Sequence, residues 1–307
     1  MSRVGLIDVD GHNFPSLPLM KLSAWHKAKG DSVEWYSPLL SGMMDVVYMA
    51  KVFSFTPDYQ WGITSDRIIR GGTGYCIQNH NGKESYNKEN DRLLAPEIEH
   101  YYPDYGLYGI SSKAYGFLSR GCPRGCDFCH VKDKEGRRSY KVADLSEFWR
   151  GQKEIEICDP NILACPDYEN LLRQLADSKA VVEINQGLDA RLLNTDNIRL
   201  LSKIRMRSVH FAWDRMKDEE KIVRNLELFC QKTNIRRKDI AVYVLTNFDT
   251  EFDQDLYRIG QLRRIGVSPY VMIYDKEHAD KKYRKMQRWT NSRQLFWSVE
   301  SFEDVKG

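Results

Sequence analysis

The stretch Leu118-Ser-Arg-Gly-Cys-Pro-Arg-Gly-Cys-Asp-Phe-Cys-His130 holds three cysteines, Cys122, Cys126 and Cys129, in a Cys-x3-Cys-x2-Cys spacing. Three thiolates on one short loop are close enough in sequence to bind a single metal centre. Thiolates select zinc, copper(I) or iron–sulfur clusters over harder cations. Three protein ligands would leave one corner of a cubane cluster open to a group that is not protein. The loop therefore predicts a soft-metal centre with one open position.

The sequence around this loop predicts alternating strands and helices. From residue 114 onward, candidate strands lie at 114–118, 154–158, 181–185, 208–213, 240–245 and 269–274, and helical stretches lie near 143–150, 167–177, 195–204, 217–232 and 253–265. Six βα units in a row predict a parallel sheet, either open or curled toward a barrel. In such folds the site forms at the carboxyl ends of the strands, and the cysteine loop directly follows the first strand.

The sequence before the loop predicts a smaller α/β domain at residues 1–77. Its candidate strands lie at 3–9, 32–36, 45–53 and 66–70, with a helix at 17–29. Residues 78–113 are polar and interrupted by proline, which is typical of an exposed linker. We expect the βα series to fill 114–275, and a basic amphipathic helix with a tail to fill 276–307.

Composition limits the function classes. The 307 residues include 46 basic and 43 acidic side chains, and a net charge of +3 is too weak to indicate nucleic-acid binding by itself. No apolar run approaches the roughly 20 residues that a membrane span needs. The N-terminus has no signal-peptide pattern, so we expect a cytoplasmic protein. Seven cysteines, an odd number, argue against a disulfide framework.

The cysteine loop resembles that of the radical S-adenosylmethionine (SAM) superfamily, in which an aromatic residue, here Phe128, precedes the third cysteine. The resemblance implies that Cys122, Cys126 and Cys129 hold a [4Fe–4S] cluster and that SAM chelates the fourth iron. It implies reductive cleavage of SAM to methionine and a 5′-deoxyadenosyl radical, which abstracts hydrogen from a substrate. An electron donor such as flavodoxin or ferredoxin is implied as partner. The substrate, a small molecule, a peptide or a nucleotide, is not identified by the sequence.

Polar residues after the later strands are candidates for holding SAM. They are Asp159 and Asn161 after the second strand, Gln186, Asp189 and Arg191 after the third, Asp214 after the fourth, and Thr246 and Asn247 after the fifth. Asp159-Pro-Asn161 stands where many members of the family carry Gly-Gly-Glu, and either residue is a candidate for the amino group of SAM. Arg191 has the geometry to clamp a carboxylate. A plain β-turn at Asp159 and helix capping by Asp214 or Asn247 are the alternative interpretations.

The N-terminal domain resembles the cobalamin-binding, Rossmann-like domain that precedes the barrel in one branch of the same superfamily. The similar pieces are Asp10-Gly-His12 and Gly71-Gly-Thr-Gly-Tyr75. Pro15 stands where that pattern has glycine, and the domain is short. Two interpretations of this domain stay open. It is either a cobalamin domain, as in a cobalamin-dependent methyltransferase, or a degenerate α/β cap that shapes the substrate site.

Two further alternatives come from the residues. His130 beside Cys129 would complete a zinc site, as in a zinc-stabilised nucleic-acid-binding protein. The helix at 281–293 interleaves Lys and Arg with Tyr283, Met286 and Trp289, a mixture that nucleic-acid recognition uses. The same pattern fits a helix that packs these three side chains on the barrel. A methylthiotransferase needs three more cysteines near the N-terminus, where only Cys76 is present.

Overall fold

The computed structural model describes residues 1–11, 14–80 and 83–305. It is a mixed α/β structure with parallel-strand sheets, which confirms the predicted α/β class. The chain forms two compact units, and neither is continuous in sequence. The first contains Met1–Gly116, Arg124–Arg137 and Leu145–Gln152, and the second contains Phe117–Pro123, Arg138–Asp144 and Lys153–Gly307.

The first unit is built on a parallel sheet. Its elements are β1 (Arg3–Asp8), α1 (Leu17–Ala28), β2 (Ser32–Trp35), β3 (Val46–Ala50) and β4 (Ile68–Gly71). The strands pair in the order β2-β1-β3-β4. Residues 4–7 of β1 are buried without a break, as expected for a central parallel strand covered on both faces.

Short elements complete the first unit. They are α2 (Thr73–Cys76), β5 (Ile77–His80), β6 (Lys83–Tyr86), α3 (Pro96–Glu99), β7 (Lys113–Gly116) and α4 (Val131–Lys134). Strands β5 and β6 pair antiparallel. The segment 78–113, which its polarity predicts as a linker, thus carries a hairpin and a short helix and belongs to this compact unit.

The second unit alternates strands and helices. Its elements are β8 (Ser119–Arg120), β9 (Tyr140–Lys141), β10 (Glu154–Ile157), α5 (Tyr168–Ser178), β11 (Val181–Ile184), α6 (Thr195–Leu201), β12 (Arg205–Met206), β13 (Val209–Ala212), α7 (Glu219–Lys232), β14 (Ile240–Thr246), α8 (Phe252–Ile265), β15 (Ser268–Ile273), α9 (Lys281–Asn291) and α10 (Arg293–Ser298). The helix predicted at 143–150 is only a 3-10 turn at Leu145–Glu147, and this turn belongs to the first unit.

Two sets of parallel strands organise this unit. One runs in the order β12-β11-β10 and the other in the order β13-β14-β15. A parallel bridge between Leu188 and Phe211 links them. Burial alternates along the strands, so that Ile155, Ile157 and Val182 are buried while Glu156 and Glu183 on the other face are partly exposed. The polar face is unusual because parallel strands are generally apolar on both faces.

The C-terminal helix α9 packs by its aromatic face. Tyr283, Met286 and Trp289 are buried in one core with Ile259 and Val271. The packing alternative for this helix is therefore confirmed, and its three large side chains are not available to stack on nucleic-acid bases. None of the described helices is long and apolar enough to cross a membrane.

Candidate functional site

Asp159 anchors the strand that leads to the first cysteine. The backbone N–H groups of Leu118 and Ser119 donate to its two carboxylate oxygens at 2.8 and 2.6 Å, and the Ser119 hydroxyl donates at 2.5 Å. Burial raises the pKa of Asp159 to about 7, against the opposing effect of these hydrogen bonds. Asp159 thus fixes the loop after β10 to β8, the strand that directly precedes Gly121 and Cys122.

Asn161 lies between Cys122 and Asp189. The side chain is buried, and its amide nitrogen donates to Cys122 Sγ and to Asp189 Oδ2, each at 3.5 Å. Both neighbours are acceptors when Cys122 is a thiolate, which favours this orientation of the amide. The Oδ1 atom of Asn161 is buried and has no hydrogen-bond partner within the described part of the chain. An unsatisfied buried acceptor is costly, so this atom is suited to a ligand that donates a hydrogen bond.

Arg191 continues this set of contacts. Its guanidinium contacts Asp189 Oδ1 through Nε and Asp218 Oδ2 through Nη1, both at 2.8 Å. Burial opposes the charge on Arg191, but the two carboxylates outweigh it and raise the pKa above its usual value. Arg191 is therefore held charged by carboxylates of the chain itself. Asp218 also belongs to this cluster. The pattern of polar residues after strands does not predict it, because Asp218 lies directly before α7.

The predicted residues at the carboxyl end of β14, Thr246 and Asn247, connect that strand to β15 and the residue that follows it. Thr246 is fully buried and donates from its hydroxyl to the carbonyl of Met272 at 3.3 Å. Asn247 has a φ of 60°, in the left-handed region, and its amide donates to the carbonyl of Tyr274 at 2.9 Å. These contacts give both residues a structural role at the carboxyl end of the second set of strands.

Asp214 and Gln186 lie outside the contacts that join Cys122, Asn161, Asp189 and Arg191. Asp214 Oδ1 accepts from the backbone N–H of Leu245 at 3.4 Å, and burial raises its pKa. Gln186 is exposed.

The second half of the cysteine motif belongs to the first unit. The N–H of Cys129 donates to the carbonyl of Cys126 at 3.1 Å, which closes a turn around the half-buried Phe128. Further along this segment, Lys134 Nζ donates to the Thr73 hydroxyl at 2.6 Å. Since Thr73 follows the glycine turn after β4, that turn supports the cysteine-bearing segment within the unit.

His130 is engaged on the same unit. Its Nε2 atom lies 3.3 Å from Glu84 Oε2, and its ring lies 6.3 Å from that of Tyr86. Glu84 and Tyr86 lie on β6, in the segment that the sequence predicts as a linker, so the pattern gave no signal of this contact.

The glycines of the proposed cobalamin pattern have a structural explanation. Gly72 has a φ of 103°, and a Cβ there would overlap the carbonyl oxygen of Lys51. A Cβ at Gly74 would lie 2.8 Å from the carbonyl oxygen of Phe53. The chain's own packing thus requires glycine at both positions, independently of any corrin. His12, the other piece of the pattern, lies outside the described residues.

The protonation and grouping of the cysteine side chains indicate which of them are suited to bind a metal centre. Among the residues that the structure describes, no three His, Cys, Asp or Glu side chains are arranged to hold a metal ion. Burial raises the pKa of the Cys76, Cys158, Cys165 and Cys230 thiols, to about 12 for Cys158, so these four are poor thiolate ligands. The three cysteines of the motif fit a soft metal by donor type and sequence proximity. The unsatisfied Oδ1 atom of Asn161, whose amide nitrogen contacts Cys122 Sγ, fits an added ligand that donates a hydrogen bond.

Comparison with known proteins gives no family for this chain. No protein-family model matches the sequence, and no curated protein matches it significantly.

Proposed function

We propose that this protein is a radical SAM enzyme in which Cys122, Cys126 and Cys129 hold a [4Fe–4S] cluster. The observation that carries the proposal is Asn161, whose buried amide contacts Cys122 and Asp189 and leaves Oδ1 as an unsatisfied acceptor. An amino group bound beside the first cysteine would satisfy that acceptor. The chemistry that a bound cluster supplies is one-electron reductive cleavage of SAM to methionine and a 5′-deoxyadenosyl radical.

The surrounding residues hold this acceptor in place. Asp159 fixes β8, and with it the approach to Cys122, through its three accepted hydrogen bonds. Because those bonds occupy both carboxylate oxygens, Asn161 is the better candidate than Asp159 for the SAM amino group. Arg191 pairs with both Asp189 and Asp218, and one guanidinium against two carboxylates leaves this cluster with a net negative charge, which suits a cationic amino group.

We assign the two units, within the same proposal, to a Rossmann-like domain and a partial (β/α)6 barrel. The strand order β2-β1-β3-β4 supports the first assignment. The two parallel strand sets joined at Leu188 and Phe211 support the second. The same proposal includes an electron donor of the flavodoxin or ferredoxin type and a substrate that the sequence does not identify. An oxygen-sensitive cluster would suit a reducing cytoplasm.

Iron content in the absence of oxygen tests the ligand assignment. We expect the anaerobically purified protein to be brown and to hold about four irons per chain, with broad absorbance near 400 nm. Cys122→Ala, Cys126→Ala and Cys129→Ala should each lose most of the iron. Cys158→Ala is the matched control, since its buried thiol is held protonated, and it should keep the iron. A colourless protein with one zinc per chain would refute the assignment, as would equal iron loss in the control.

A further inference from the structure

A cavity of about 230 Å³ lies at the amino-terminal ends of β13, β14 and β15. Its wall includes Ser208 directly before β13, Ala241 on β14, Ser268 on β15 and Trp297 on α10. Asn161 and Asp189, by contrast, follow the carboxyl ends of β10 and β11. The cavity is therefore separate from the contacts around Cys122, and nothing in the proposed function uses it.

Two partly exposed aromatic rings line the cavity from different elements. Tyr270 on β15 is 46% exposed and Trp297 on α10 is 39% exposed. Edge-type contacts hold both rings, with Tyr270 against Tyr243 at 5.8 Å and Trp297 against Phe296 at 5.1 Å. Large rings exposed in a cavity offer stacking surface to a planar ligand at low cost in side-chain entropy.

Cationic groups border the same cavity. The Arg293 guanidinium donates to the Lys238 carbonyl, and both side chains are exposed at the cavity wall. Asp239, also in the wall, pairs with Arg236 at 2.5 Å and lies 4.0 Å from Arg293. Lys238 has no ion-pair partner within the part of the chain that the structure describes. The rim thus has an excess of positive charge that suits an anion.

A buried hydroxyl in the wall has no partner. Ser268 Oγ is buried, and it makes no hydrogen bond within the described ranges. Because an unsatisfied buried hydroxyl is costly, a polar ligand atom that reaches it would relieve this cost. The cavity therefore combines ring faces, an unsatisfied polar group and cations.

We propose that this cavity binds a free mononucleotide, with the base between Tyr270 and Trp297 and the phosphate on Lys238 and Arg293. A volume of about 230 Å³ exceeds the ~150 Å³ of a cavity that takes benzene, so it has room for a planar base. The ribose and phosphate lie at the open rim beside the cations. A nucleic-acid strand is the poorer fit, because it needs a cationic track along its backbone and α9 buries its aromatic side chains.

Equilibrium binding with AMP and GMP as probes tests this site. We expect a mononucleotide to bind at least about tenfold more tightly than its nucleoside or inorganic phosphate, because stacking and charge act together. Trp297→Leu and Arg293→Gln should each weaken binding about tenfold or more. Arg284→Gln is the matched control, an exposed cation on α9 that donates to the Lys276 carbonyl, and it should leave binding unchanged.

Three outcomes would overturn the nucleotide site. They are equal affinity for phosphate alone, binding only to a single-stranded hexanucleotide, and no loss of affinity in Trp297→Leu. Asn161→Ala separates this site from the proposed SAM site, and it should bind AMP as the native protein does. A loss of AMP binding in that variant would place the nucleotide at the SAM residues and overturn the assignment to the cavity, while the radical SAM proposal is tested separately by iron content and by SAM cleavage.

Discussion

Asn161 makes contacts at the candidate site that its position in the sequence suggests but does not establish. The position after a strand marks Asn161, Asp189 and Arg191 as candidates, and the structure brings these three together in successive contacts. The pattern could not separate Asp159 from Asn161, since both follow β10 within three residues. Their difference depends on Ser119 and Cys122, which lie about 40 positions away in sequence.

The affinity for SAM should depend on Asn161. Replacement by alanine removes the acceptor, and the loss of one buried hydrogen bond to a charged group corresponds to about 10- to 100-fold weaker binding. Equilibrium dialysis with radiolabelled SAM measures this. Asn170→Ala, at an exposed amide on α5, is the control and should bind SAM normally. Unchanged affinity in a folded Asn161→Ala protein would remove this residue from the site.

The stability of the protein should depend on pH through Asp159. Burial raises its pKa from 3.8 to about 7, so the folded protein keeps a proton that the unfolded chain releases between these values. The stabilising contribution is complete below about pH 4 and is lost as the pH rises through 7, by at most about 4 kcal/mol. Chemical denaturation between pH 4 and 8 should give a shallower decline for Asp159→Asn than for the native protein. Parallel pH curves would contradict the raised pKa.

Helix α8 illustrates what an element adds to its strands. Arg258 and Asp255 are fully buried and form an ion pair at 2.5 Å. Arg258 also donates to the carbonyls of Trp213 and Leu245 at 2.5 and 2.6 Å. The helix thus satisfies carbonyl groups just after β13 and near the end of β14. Apolar periodicity predicted a helix at 253–265, but not that a buried arginine on it would bind two strand ends.

Loss of this arginine should destabilise the second unit. Arg258→Met leaves Asp255 as an unpaired buried carboxylate, and we expect a loss of about 3–5 kcal/mol in the free energy of unfolding. Arg264→Met on the same helix removes an exposed pair with Glu227 and should cost about 1 kcal/mol or less. Urea denaturation of the two variants makes the comparison. Similar losses of unfolding free energy in both variants would contradict the stabilising role of Arg258.

At the scale of the whole molecule, the periodicity of the sequence predicted the α/β fold class and most of the helices and strands. It did not predict how the chain divides into two compact units. The predicted strands at 154–158, 181–185 and 240–245 match β10, β11 and β14 closely, because alternation and turn residues are local signals. The first unit takes in residues 124–137, and a sequence boundary near 114 could not predict this. Such assignments depend on long-range contacts like that between Lys134 and Thr73. The polarity of residues 78–113 predicted an exposed linker, but this segment contributes to the hairpin β5–β6 and to the contact between Glu84 and His130.

The most direct test of the radical SAM proposal is the formation of 5′-deoxyadenosine. The reconstituted protein, reduced with dithionite under anaerobic conditions and given SAM, should release 5′-deoxyadenosine and methionine in equal amounts. Cys126→Ala should form none, while Cys230→Ala, whose thiol pKa is raised by burial, should retain the reaction. Absence of 5′-deoxyadenosine from an iron-loaded native protein, or undiminished formation by Cys126→Ala, would contradict the proposal.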